Sequence, residues 1–223
     1  MQEFIEVTRE NIRTLADVMN TLEQAASVHA DDLQIDFSRM LSDFGALWMI
    51  VKSRIVLRRI PGTLRVRTWL RTPSSAVSNR DFALFEGSEE IGYAVQSWVL
   101  VDAKQRTILN MRKFPPLWKL PTPQPERTDA LKRLSAPPMC EVERWRIEPQ
   151  ELDRNGHLNN TQYIRHAEAY APEGASCLDV IFERECFAGE TLILHAADGF
   201  VQGRKEDGST SFLAHFYQKG ESI

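Results

Sequence analysis

Cysteine is scarce in this chain of 223 residues: there are three, Cys140, Cys177 and Cys186, with no CxxC pair among them. An odd, widely spaced set excludes a disulfide framework and a cysteine-built zinc site. Long apolar runs are also missing. The longest, 44–51, falls short of the roughly 18 to 20 residues that span a bilayer and suits a buried strand, so membrane insertion is not expected. Positive charge is not in excess: the net charge is -4 and the pI about 5.8, which gives the whole chain no electrostatic reason to bind nucleic acid. The opening MQEFIEVTRE has no basic stretch leading into an apolar one. A secretory signal is therefore not expected, and with free thiols the reading is cytoplasmic. His29, His166, His195 and His215 have no metal-binding spacing, and nothing in the chain asks for a metal or an organic cofactor.

What is present is an ordinary globular composition, 43% hydrophobic and 26% charged, in a chain long enough for two small domains. Pro115, Pro116, Pro121, Pro123, Pro125, Pro137 and Pro138 crowd one segment, too dense for a helix or an interior strand. The segment divides the chain into a first domain, 1–112, a proline-rich linker, 113–138, and a second domain, 139–223.

Both parts follow one plan. In the first, Ile12, Leu15, Met19, Leu22, Ala26 and His29 recur at helical spacing, after a short strand and before strand-like runs near 46–59, 63–72, 80–87 and 91–102. In the second, a strand at 142–147 precedes a helix at 160–170, with strands near 178–187, 190–200 and 210–218. This is an α+β architecture in which one long helix packs across a curved antiparallel sheet, twice.

The segment Leu152 to Tyr163, LDRNGHLNNTQY, carries the chemistry. In an extended chain Asp153, Asn155 and His157 would share a face. Asn159 or Asn160 is a good N-cap, and a helix N-terminus there offers unpaired amides to an oxyanion. Asp-Arg-Asn-Gly alone is a common turn, and one histidine beside it means little. The full pattern Asp-x-Asn-x-His-x-Asn-Asn-x-x-Tyr before a helix is far more specific.

With this motif the chain resembles the plant and bacterial acyl-[acyl carrier protein] thioesterases. The resemblance extends to Asn20–Ala26 (NTLEQAA), Trp48–Lys52 (WMIVK), Gly62 with Val66–Trp69 (VRTW), Arg80–Phe82 (RDF), Ser97–Asp102 (SWVLVD) and Glu183–Cys186 (EREC), in family order. It implies a tandem, or double, hotdog fold and hydrolysis of fatty acyl-carrier thioesters to free fatty acid, without cofactor. It also implies a catalytic set of Asp153, Asn155, His157 and Glu185. In that scheme His157 and Glu185 activate water, Asn155 positions the carbonyl or the water, and Asp153 orients both neighbours. Cys186 is the rival nucleophile, but adjacent strand residues point to opposite faces, which disfavours it beside Glu185.

The first half lacks the Asp-x-Asn-x-His pattern, so it reads as catalytically degenerate. The resemblance gives it the acyl-chain pocket, with Met19, Leu22 and Ala26 as lining and Asn159 and Asn160 as substrate contacts. Between Phe44 and Arg80 there is no acidic residue. Arg65, Arg67 and Arg71 alternate along one face there, suiting an acidic acyl carrier protein or the phosphates of coenzyme A; an ordinary solvated sheet face is the competing explanation. Three alternatives stay open at this level. Coenzyme A could be the carrier, the protein could be a non-catalytic acyl-binding hotdog, and a fused pair could act as a monomer or a homodimer.

Overall fold

A computed structural model describes residues 2–120 and 133–220. In chain order the elements are β1 (Ile5–Glu10), α1 (Leu15–Asp32), α2 (Phe37–Phe44), β2 (Ala46–Leu57), β3 (Thr63–Leu70), β4 (Ser78–Glu86) and β5 (Glu89–Asp102). The second series is β6 (Cys140–Arg146), α3 (Asn160–Ala167), β7 (Cys177–Phe182), β8 (Thr191–Ala197), β9 (Phe200–Lys205) and β10 (Thr210–Tyr217).

The ten strands form one antiparallel sheet in the order β1-β3-β4-β5-β2-β7-β10-β9-β8-β6. Outward from the central β2–β7 pair, one side runs β2, β5, β4, β3, β1 and the other β7, β10, β9, β8, β6. These are equivalent series: each innermost strand follows the helical segment of its own half, and each outermost strand precedes it. The architecture is the tandem hotdog, with its pseudo-twofold passing between β2 and β7. That junction is fixed by register and charge together. Arg54 faces Asp179 across it and grips both carboxylate oxygens, Nε to Oδ1 at 2.7 Å and Nη2 to Oδ2 at 2.5 Å. A desolvated two-pronged pair of this kind is far more specific than an exposed one.

The stripe read from the sequence makes α1. Thr14 caps it by accepting from the Asp17 amide, and Leu15, Val18, Met19, Leu22, Ala25, Ala26 and His29 are buried. The two alanines leave room for close approach of the sheet. The N-terminus of α1 has a second clasp from the other half of the chain, where Glu168 accepts from the amides of Leu15 (2.6 Å) and Ala16 (3.2 Å). Burial raises the pKa of this carboxyl, against the pull of the two amide hydrogen bonds.

The structure departs from the sequence reading in several places. Helix α2 was not expected, although Phe37, Met40, Leu41 and Phe44 have helical spacing behind the cap Asp36 and ahead of Gly45, whose φ of 61° ends the helix. Strand β9 was not expected either, because Gly203 interrupts its pattern. A Cβ there would lie 2.3 Å from the Phe212 ring, so the glycine lets neighbouring strands close over a core aromatic. The strand expected at 178–187 ends at Phe182, and the helix expected at 160–170 leaves α-geometry after Ala167 in a 3-10 turn, Glu168–Tyr170, before Pro172. Part of the proline-rich segment is packed rather than loose: Phe114 and Leu117 join a cluster with Met40, Leu100 and Met111. Pro121, Pro123 and Pro125 lie outside the described residues.

Candidate active site

The Asp153–His157 stretch is a tight loop, not an extended strand, so the alternate-residue argument for convergence is replaced by a turn. The Asp153 amide donates to the His157 carbonyl at 2.7 Å, and its Oδ1 accepts from the amides of Asn155 (2.7 Å) and His157 (3.1 Å). Gly156, at φ 76°, supplies the left-handed step that closes the loop. Asp153 thus orients Asn155 and His157 through their backbones, with one further side-chain contact from Asn155 Nδ2 to Asp153 Oδ2 at 3.3 Å. On the far side of the loop, Asn159 caps α3 by accepting from the Thr161 amide at 2.8 Å, and Asn160 is the first helical residue.

The amide of Leu158 donates to the carbonyl of Cys186 at 2.8 Å, pinning this loop to the segment after β7. Glu185 then reaches the imidazole, with its Oε1 3.1 Å from His157 Nδ1. Both side chains are about four-fifths buried, at 18% and 23% exposure. Arg106, in the turn after β5, ion-pairs with the same carboxylate and contributes a cation from the first half of the chain. The His157 ring meets Phe187 edge-on at 5.2 Å. In this arrangement a neutral His157 donates from Nδ1 to Glu185 and keeps a lone pair on Nε2.

Cys186 is turned into the core instead. It is fully buried, with Sγ 3.1 Å from Ser211 Oγ, and burial pushes its thiol up from the ordinary value. A raised thiol pKa opposes the thiolate a nucleophile needs. Glu185 and Cys186 lie beyond the end of β7 at Phe182, so strand alternation does not govern them; the carboxylate meets His157 while the thiol is buried against Ser211.

The loop, Glu185 and α1 border one cavity of about 1050 Å³ that draws its walls from both halves. Asp153, Asn155, His157, Asn159, Asn160 and Glu185 line it, with Ala26, Ile35, Trp48, Ile50, Leu70 and Trp98 forming much of its apolar wall. Met19 and Leu22 do not line it. They face the core on the next stripe of α1, where Met19 Sδ lies 3.5 Å from Gln96 Nε2. Arg80 borders the cavity with its guanidinium held by His29 Nδ1 (2.9 Å) and Thr68 Oγ1 (3.3 Å); burial brings its pKa down to about 9.

The expected carrier-binding arginines are committed elsewhere. Arg65 and Arg67 both pair with Glu6 and lie over Phe85, and Arg71 grips the buried Asp81 with two 2.7 Å bonds. None of the three borders the cavity, whereas the exposed Arg154 and Arg184 do. A pattern read along one strand could not reveal the acidic partners on β1 and β4.

Sequence reasoning also gave no role to Glu23 or Arg106, both of which border the cavity. Glu23 stands inside the quoted NTLEQAA stretch, one helical turn before Ser27 on the cavity face. Arg106 has no local signal, because its partner is 79 positions away. Among the described residues no cluster of histidine, cysteine and carboxylate side chains suits a metal ion.

A family model described as the acyl-ACP thioesterase N-terminal domain matches residues 3–113. No curated protein matches the chain. Among solved structures, an acyl-ACP thioesterase from Bacteroides thetaiotaomicron superposes with a TM-score of 0.85 at 18% identity, covering 97% of this chain and 99% of that one. The 12:0-ACP thioesterase from Umbellularia californica gives 0.74 at 17% identity, with 97% of each chain covered. At such identities the likeness shows the fold alone.

Proposed function

This chain belongs to the acyl-[acyl carrier protein] thioesterase family and is a hydrolase of fatty acyl-carrier thioesters, and on that premise we propose how its residues divide the work. His157 is the general base: with Nδ1–H held by Glu185, its Nε2 takes a proton from the water that attacks the thioester carbonyl. Glu185 fixes the tautomer and stabilises the imidazolium that forms. Asp153 sets the loop, Asn155 positions water or carbonyl, and the first free amide of α3, at Asn160, faces the developing oxyanion. The carbon–sulfur bond then breaks, and the electron pair leaves on the carrier's sulfur.

One observation carries this reading: the 3.1 Å contact between His157 and Glu185 inside a cavity shared by both halves. The half at 1–112 supplies apolar pocket walls such as Ala26, Ile50 and Trp98. The half at 139–223 supplies the base, and 113–138 joins them. The carrier approaches past Arg154 and Arg184 at the cavity edge. Among the described residues no helix is long and apolar enough to cross a membrane, and we assign the enzyme to the cytoplasm, where acyl carrier protein is its partner.

The deciding experiment is turnover on matched acyl-carrier-protein and acyl-CoA thioesters of varied chain length. Faster hydrolysis of the carrier-protein series supports the proposal. Preference for coenzyme A thioesters would move the assignment to that carrier. No hydrolysis of either would leave a binding protein.

A further inference from the structure

We propose that Glu23 is a further catalytic residue, whose carboxyl group donates a hydrogen bond to the thioester carbonyl oxygen while that oxygen gains negative charge. This inference rests on the hydrolytic reading above and adds a second carboxyl to the reaction.

Glu23 projects from the face of α1 that also carries Ala26, Ser27 and Ala30, and it borders the cavity. The residue as a whole is part-buried because it meets that space, yet its Oε1 is shut off from solvent and has no hydrogen-bond partner among the described residues. Its other oxygen, Oε2, lies 3.5 Å from Thr161 Oγ1 in the first turn of α3. The carboxyl therefore sits beside the α3 start, where the oxyanion has been placed. A buried polar atom left unpaired is costly. A ligand entering the cavity is the natural source of the missing partner.

No cation among the described residues offsets the group. Arg165 of α3 faces Asp17, Arg65 and Arg67 of β3 are engaged by Glu6 of β1, and Arg80 of β4 is bonded to His29. Glu168, after α3, is occupied by the first amides of α1, and Asp153 in the catalytic loop adds negative charge nearby. Burial foremost raises the Glu23 carboxyl to about 7, against the opposing hydrogen bonds of Thr161 and Asn160 and with Asp153 as a lesser contributor. Glu185 stands in the opposite environment, beside Arg106 and His157. Two carboxyls in one cavity with such unlike surroundings suit complementary duties, one accepting from the base, the other donating to the substrate.

The proton balance is simple. Water forms the new carbon–oxygen bond and gives its proton to His157, the sulfur departs with the carbon–sulfur electrons and takes that proton back from His157, and the Glu23 proton is shared in a hydrogen bond and stays with Glu23.

The test compares pH profiles of kcat and KM for wild type, Glu23→Gln, Glu23→Ala and Glu23→Leu, using the acyl-carrier-protein thioester that wild type turns over fastest. Wild-type activity should fall as pH rises through about 7, where Glu23 gives up its proton. Glu23→Gln keeps a donor that does not titrate, so its alkaline decline should flatten while its rate at acidic pH drops by no more than about tenfold. Glu23→Ala and Glu23→Leu should lose roughly 100-fold in kcat with KM little changed. None of the three should melt below wild type at alkaline pH, because each removes a buried acid with one unpaired oxygen and an unfavourable ionisation; this separates a chemical role from a structural one. A kcat for Glu23→Ala within twofold of wild type, or an unaltered alkaline limb in Glu23→Gln, would overturn the role. If wild type itself hydrolyses no thioester, the enzymatic reading fails first, and that outcome is visible before any variant is made.

Discussion

Nδ1 of His157 lies 3.1 Å from Oε1 of Glu185, although the two residues belong to separate loops, joined by a backbone hydrogen bond from Leu158 to Cys186. The base therefore depends on a contact that neither loop makes alone. His157→Ala should lower kcat by about 10²- to 10⁴-fold, and Glu185→Gln by less, because the amide still accepts from Nδ1. Steady-state kinetics beside circular dichroism would check this. Wild-type turnover in a folded His157→Ala protein would remove the proposed base.

Asp153 acts on the backbone, which gives its loss a different signature. Asp153→Ala frees the amides of Asn155 and His157 together. It should depress kcat and also speed hydrogen exchange across 153–158. An activity loss without any change in exchange would mean that the carboxylate acts on substrate directly.

Replacing Cys186 tests the rival nucleophile. With its thiol buried against Ser211 and its pKa raised, Cys186→Ala should keep kcat within about threefold of wild type. The cost should be about 1 kcal/mol of stability from the small core defect. Complete inactivity, or an acyl group trapped on this sulfur, would reverse the mechanism.

Stability should respond to pH through Glu23. Its folded pKa, about 7, lies above the ordinary 4.5, so between those values the native state holds a proton that the unfolded chain releases. This contribution is complete below pH 4.5 and is lost as pH climbs through 7, on the order of 3 kcal/mol. Denaturant unfolding at acidic and alkaline pH should show the decline in wild type and a smaller one in Glu23→Gln. Equal slopes would place the carboxyl in a more solvated setting.

The carrier surface follows from where cationic side chains meet the cavity. Raising ionic strength from about 0.05 to 0.5 M shortens electrostatic reach from over 10 Å to a few ångströms and should raise KM for the carrier-protein thioester. Replacing Arg154 and Arg184 with Gln should raise KM in the same way and flatten the salt response. Arg65→Gln should leave both nearly unchanged. The reverse pattern would restore the β3 arginines as the docking site.

Much of the fold was legible because local rules and tertiary packing agree. The α1 stripe, the long strands 46–57 and 89–102 and the cap at Asn159 all satisfy backbone and burial together. Strand β9 was hidden by Gly203, whose reason for being there is the distant Phe212 ring. At the site, Asp153, Asn155, His157 and Glu185 were read from motif and resemblance, but the motif concealed its own geometry: the loop is a turn stapled by Asp153, not a strand. Charge partners were the weakest point. Arg71, just past the end of β3, and Asp81 of β4 sit ten residues apart, and Arg106 and Glu185 lie in different halves, so no pattern along the chain announces either pair.

The clasp of Glu168 on the first amides of α1, with Arg54 bound to Asp179 across the central strand pair, means that neither repeat completes itself. A fragment ending near residue 112 would expose β2 as a raw edge and leave a helix end without its acceptor. Severed repeats should therefore recover structure only when mixed, as complementing partners, and the intact chain should melt in a single cooperative step.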